Sequence, residues 1–138
     1  MDDEERALLS RVRMTVEDAA LARCELDLDG WPLLLVDRVA GCVRVNDVRS
    51  SAMFAHGVAL PPTAGHLTVR AGAIGDELYV LLGDVAAVFV VPEINGVHAD
   101  VRVVESATGR LLLDRSVRYR QVRTELMSPS PAFLDCRG

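Results

Sequence analysis

The sequence predicts an α+β domain in which helix covers one face of an antiparallel sheet. Helical spacing is confined to the N-terminal part, where Leu8, Val12 and Val16 recur at four-residue steps. Short apolar and alternating runs, typical of strands, begin near Trp31 and dominate the second half. The chain has 138 residues, half of them hydrophobic, which is the size and apolar content of a single domain over residues 1–138.

The charge balance argues against nucleic-acid and membrane partners. The formal net charge is −5, and no basic run offers an electrostatic footprint for phosphate groups. The start of the chain is acidic, unlike a signal peptide, and the longest near-apolar stretch, Val85–Pro92, is too short to span a membrane. The three cysteines, Cys24, Cys42 and Cys136, form no CxxC pair, which argues against a disulfide framework and predicts a cytoplasmic location.

The first half is predicted to hold a helical segment followed by a pair of strands. Residues 1–25 form the helical segment, with four acidic residues at positions 2–5 where a helix N-terminus favours negative charge. The stretch "LDLDG" at 26–30 is a turn signal. The runs "WPLLLVDRV" at 31–39 and "CVRVND" at 42–47 then predict two strands.

The second half is predicted to hold a loop, a helix and a long hairpin. Residues 48–66 contain adjacent prolines and are expected to be irregular. The small residues in 65–82 favour a helix packed closely on the sheet, with strands as the alternative. The alternating runs at 95–106 and 109–122 predict an antiparallel hairpin, and the proline-containing tail at 123–138 is expected to be extended.

The histidines are the main candidates for chemistry. His56 lies beside a glycine and ahead of two prolines, in a predicted loop, which is a common setting for catalytic groups. His66, Glu77 and His98 resemble the His–Glu–His order of cupin metal sites, but Thr68 stands where that pattern has a second histidine. We therefore expect no metal site, and a cupin-like barrel remains the least favoured alternative.

The run "WPLLLVDRV" resembles the entry strand of the hotdog-fold 3-hydroxyacyl-[acyl-carrier-protein] dehydratases. The stretch "VNDVRSSAMFAHGVALPPTAGHL" that follows offers Asn, Phe, His, Gly and Pro in the same order as the loop before that family's central helix. The resemblance covers most of residues 31–122. It implies a hotdog-like antiparallel sheet wrapped on a central helix, with the N-terminal helix outside it.

The resemblance also implies a site and partners. In that family a histidine removes the α-proton of a 3-hydroxyacyl thioester, and a carboxylate on the central helix helps the hydroxyl leave as water. His56 takes the position of the histidine, but Arg70 stands where the carboxylate is expected, and an arginine binds an anion rather than donating a proton. The implied catalytic residue is thus His56, and the implied substrate-binding residues are Phe54, Gly57, Gly65, His66 and Arg70.

Two functions from different classes follow from this resemblance. The first is a diverged hydro-lyase, acting without a cofactor on thioesters of acyl carrier protein or coenzyme A. The second is a hotdog-like binding or interaction protein that has lost catalysis. Both imply a homodimer, because the family joins two sheets edge to edge and builds its site at that interface.

Overall fold

Two antiparallel sheets and one short helix make up the part of the chain that the structure, a computed structural model, describes. The described residues are 2–17, 23–38, 40–49, 52–61 and 68–120. The helix is α1 (Asp3–Ser10). The first sheet holds, in sequential order, β1 (Val12–Glu17), β2 (Arg23–Leu28), β3 (Trp31–Asp37), β4 (Cys42–Arg49) and β5 (Ala52–Ala59). The second sheet holds β6 (Val69–Ile74), β7 (Glu77–Leu82), β8 (Ala86–Pro92), β9 (His98–Glu105) and β10 (Leu111–Arg118), also in sequential order.

The predicted α+β class and hotdog fold are wrong, because the described residues are mostly β-strand. Residues 69–74 and 77–82 form β6 and β7 rather than a long central helix, and the described residues hold no other helix than α1. The small residues of β6 serve a sheet: Ala71 and Ala73 pack on the core, while a side chain at Gly72 would overlap the Tyr79 ring. Glycine and alanine are compatible with close packing of either element, so their presence did not decide between them.

The predicted N-terminal helix ends much earlier than expected. Asp2 and Glu5 form a reciprocal capping box that starts α1, but the chain becomes β1 at Val12. A four-residue step is compatible with a helix and is also twice the period of a strand. Val12 and Val16 therefore share one face of β1 with Met14 between them.

The predicted strands around two hairpins are confirmed. β3 forms over the apolar run that predicted it, β4 forms where alternation indicated it, and β9 and β10 pair as the predicted long hairpin. The turn between β2 and β3 consists of Asp29 and Gly30, both with positive φ, as the two-residue type I′ hairpin requires. The predicted loop over 48–66 is wrong for Ala52–Ala59, which form β5 and pair with β4. The predicted extended tail at 123–138 lies outside the described residues.

The two sheets bury their facing side chains in one continuous core. Every second residue of β7, β8 and β9 is fully or nearly fully buried, and so are the facing positions of β2, β3 and β4. The run Leu33–Val36 is buried on both faces of β3, which explains why the sequence is apolar there without alternation. The last residue of β3, Asp37, caps the following turn by accepting a hydrogen bond from the Ala40 N–H at 3.1 Å.

A polar clamp joins the ends of three elements. Arg11, at the end of α1, donates two hydrogen bonds to the Asp29 carboxylate, at 2.9 and 2.6 Å. Tyr119, which follows β10 and is fully buried, donates to the same carboxylate at 3.2 Å. The hydrogen bonds from Arg11 lower the pKa of Asp29 below its ordinary value of 3.8.

Replacing Asp29 with Asn should lower the free energy of unfolding at pH 7 by about 1–3 kcal/mol, because it removes the charge from hydrogen bonds with Arg11 and Tyr119. Asn tolerates positive φ, so the turn is kept. Because the pKa of Asp29 is lowered by folding, its contribution is complete above about 3.8 and is lost as the pH falls through the folded-state value. Urea unfolding from pH 7 to pH 2 should show the two proteins converging in acid; a constant difference would contradict this.

Candidate functional site

His56 lies on β5, the last strand in the order of the first sheet, rather than in the predicted loop. Its ring Nε2 lies 3.2 Å from Asp47 Oδ2 on β4, and its Nδ1 lies 3.1 Å from Arg115 Nη1 on β10. We call Asp47, His56 and Arg115 the inter-sheet cluster. It joins a strand pair of the first sheet to the last strand of the second.

The partners of His56 fix its tautomer. A guanidinium only donates hydrogen bonds, so Nδ1 accepts from Arg115, and the single proton of the neutral ring is on Nε2, which donates to Asp47. Asp47 is almost completely buried, and its Oδ1 accepts from the Arg118 N–H at 3.0 Å. Both ring nitrogens of His56 are therefore engaged in structural contacts.

The structure separates the other predicted site residues from His56. Phe54 is the exception: it pairs with Asp47 in the β4–β5 register, lies on the same face of β5 as His56 and is 49% exposed. Gly57 belongs to the opposite face of β5. Arg70 lies on β6, four strand positions from β10, which is about 19 Å at 4.8 Å per strand. Arg70 also faces away from the core, so it cannot bind a substrate held at His56. Gly65 and His66 lie outside the described residues.

The described residues contain no group of three or more His, Cys, Asp and Glu side chains arranged to hold a metal ion. Two members of the alternative cupin-like set have other partners: Glu77 pairs with Arg102 at 3.3 Å, and His98 Nδ1 lies 2.9 Å from Asn95 Nδ2. The third, His66, lies outside the described residues.

The cysteines differ in state. Cys24 is a buried free thiol, and burial raises its pKa to about 11, so it is protonated and unreactive at neutral pH. Cys42 is disulfide-bonded, although the odd cysteine count argued against a disulfide framework.

A pocket of about 220 Å³ lies beside α1, away from the inter-sheet cluster. It is lined by Glu4, Ala7, Leu8, Arg11, Asp76 and Pro92, none of which the sequence pointed to.

The outer face of the second sheet carries an apolar surface that sequence reasoning missed. Its side chains point away from the core but are apolar, whereas the solvent face of a sandwich sheet is normally polar. We call this surface the outer patch; it consists of Tyr79, Leu81, Ala87, Phe89, Val104 and Leu111. All are partly accessible, and Leu111 is 48% exposed.

Neighbouring strands cover part of the outer patch. The Tyr79 ring lies over Gly72 on β6, and the Arg102 guanidinium lies 5.4 Å from the centre of the Phe89 ring. The signal that could have revealed the patch is the unbroken apolar run Val85–Pro92. Such a run predicts a strand with apolar residues on both faces, and only one of those faces meets the core.

Comparisons with known proteins identify no relative. No family description, no curated protein and no solved structure matches this chain. Within the part of the chain that the structure describes, no helix is long and apolar enough to cross a membrane.

Replacing His56 with Ala should lower the free energy of unfolding by about 1–3 kcal/mol, because buried Asp47 loses a hydrogen-bond donor and Arg115 loses its acceptor. His98→Ala is the matched control, since the contact of His98 with Asn95 is at an exposed turn, and we expect a loss below about 1 kcal/mol there. Thermal and urea unfolding measure both. Equal losses in the two variants would mean that the inter-sheet cluster contributes no specific stability.

Proposed function

We propose that this chain is a non-catalytic binding domain. The observation that carries the proposal is the engagement of both ring nitrogens of His56, by Asp47 and by Arg115. A general base needs a free lone pair within reach of the proton it removes. The lone pair of His56 is the Nδ1 acceptor for Arg115, so the cluster is suited to holding the two sheets together.

The energetic cost of freeing His56 supports the same proposal. Because Arg115 is exposed to solvent, its hydrogen bond to His56 contributes about 0.5–1.5 kcal/mol. Freeing Nδ1 from this bond would therefore reduce the population of a reactive histidine by about two- to tenfold. The outer patch gives positive support, because a contiguous, partly exposed apolar surface is more typical of an interaction site than of a solvent-facing sheet.

A second candidate is an acyl-thioester hydro-lyase, as the sequence resemblance implies, on the present scaffold rather than a hotdog one. The pairing of Asp47 with His56 favours it, because a buried carboxylate can hold an imidazole in one tautomer for acid–base work. In this alternative Arg115 turns to the thioester and frees Nδ1 as the base. The partner would be acyl carrier protein or coenzyme A carrying the acyl chain.

The cytoplasmic location expected from the sequence belongs to the proposal as well.

Purified protein should not hydrate an enoyl-coenzyme A, nor dehydrate the matching 3-hydroxyacyl-coenzyme A, above the rate of buffer. Arg115→Gln is the informative variant, because it removes the charged donor from Nδ1 of His56 without removing the histidine. The change in thioester absorbance measures turnover, and we expect none in the wild type, in His56→Ala or in Arg115→Gln. Turnover in the wild type that His56→Ala abolishes would establish the hydro-lyase instead.

A further inference from the structure

We propose that the partner of this binding domain is a second copy of the same chain, which packs its outer patch against the outer patch of the first. This inference rests on the proposed binding function and identifies the partner that binds the outer patch. It follows from the order in which charged and apolar side chains lie across the second sheet.

The strand registers arrange the outer face in two neighbouring rows. One row crosses the five strands from β6 to β10 as Arg70, Leu81, Ala87, Val104 and Leu111. The row beside it crosses as Gly72, Tyr79, Phe89, Arg102 and Asp114. The centre of both rows is on β8. Arg70 and Asp114 lie on the two edge strands, whereas Arg102 lies on β9 beside Phe89.

A two-fold axis along β8 makes this surface complementary to itself. The axis brings β6 of one copy opposite β10 of the other and places β8 opposite itself. Leu81 then faces Val104 of the second copy, and each Ala87 faces its equivalent. In the second row the two Phe89 rings meet, and Tyr79 faces Arg102 of the second copy, a pairing that favours a cation–π contact.

The charges at the two edges are also complementary. Arg70, on β6, comes next to Asp114 on β10 of the second copy, because the neighbouring row places Gly72 of β6 opposite that aspartate. Glu77 would face Asp100 of the second copy at the rim. Its charge is offset within its own copy by Arg102, at 3.3 Å.

The size of the surface predicts a weak dimer. Five strands at about 4.8 Å and six residues at about 3.4 Å give a face of about 24 by 20 Å. Two such faces bury about 1,000 Å², which is at the lower limit for a specific protein–protein interface. We therefore expect dissociation in the micromolar range rather than an obligate dimer.

Sedimentation velocity of the full chain from about 1 to 500 μM should show a monomer–dimer equilibrium. Ala87→Glu, which brings two carboxylates together on the axis, should raise the dissociation constant at least tenfold. Ile94→Glu is the matched control, because Ile94 is fully exposed on the turn after β8, outside the outer patch, and it should leave the equilibrium unchanged. Circular dichroism confirms that each variant is folded.

A charge exchange tests the arrangement without disturbing the apolar centre. Arg70→Asp should weaken the dimer, and adding Asp114→Arg to that variant should restore the dissociation constant of the wild type. A wild type that is monomeric at every concentration would overturn the proposal, because no second copy then binds the outer patch. A folded Ala87→Glu protein that still dimerises normally would also overturn it, because the dimer then forms through another surface. Thioester turnover separates the two proposals: an inactive monomer refutes only the dimer, whereas an active dimer refutes only the non-catalytic function.

Discussion

The attachment of β10 to the first sheet is the constraint on which the rest of the structure depends. β10 is bound to the second sheet through its backbone pairing with β9, and three polar contacts fasten it to the first sheet. Asp47 accepts from the Arg118 N–H, His56 accepts from Arg115, and Asp29 accepts from Tyr119. Valine and leucine packing between the sheets is non-directional, so these contacts determine how one sheet is positioned on the other.

This constraint accounts for a charged cluster beside an otherwise apolar interior. Burying Asp47 is costly unless its carboxylate is hydrogen-bonded, and β10 and β5 supply donors to both of its oxygens. His56 links that buried carboxylate to the exposed guanidinium of Arg115. His56 thus has partners like those of a catalytic histidine, but its contacts hold the two sheets together. The sequence pointed to catalysis because it shows only the residue type and a loop-like setting.

The sequence predicted the elements whose signals are local and missed those that depend on the opposite sheet. β4, β9 and β10 follow from alternation over a few residues, and β3 follows from a short apolar run after the turn at Asp29 and Gly30. The step from Val12 to Val16 fits both periods, and the glycine and alanines of β6 fit either element, so only packing decides. His56 was found by type, but its partners lie 9 and 59 residues away in the sequence, and no local pattern connects them.

The outer patch is the feature that stability alone does not require. The core face of the second sheet already buries its valines and leucines, and polar residues on the other face would keep the protein soluble. Apolar residues persist there on β7, β8 and β9, with Arg102 of β9 over the Phe89 ring, while Arg70 and Asp114 lie on opposite edge strands. An apolar centre with unlike charges on its two sides is the pattern of a self-complementary interface, because a two-fold rotation exchanges the sides and leaves the centre unchanged.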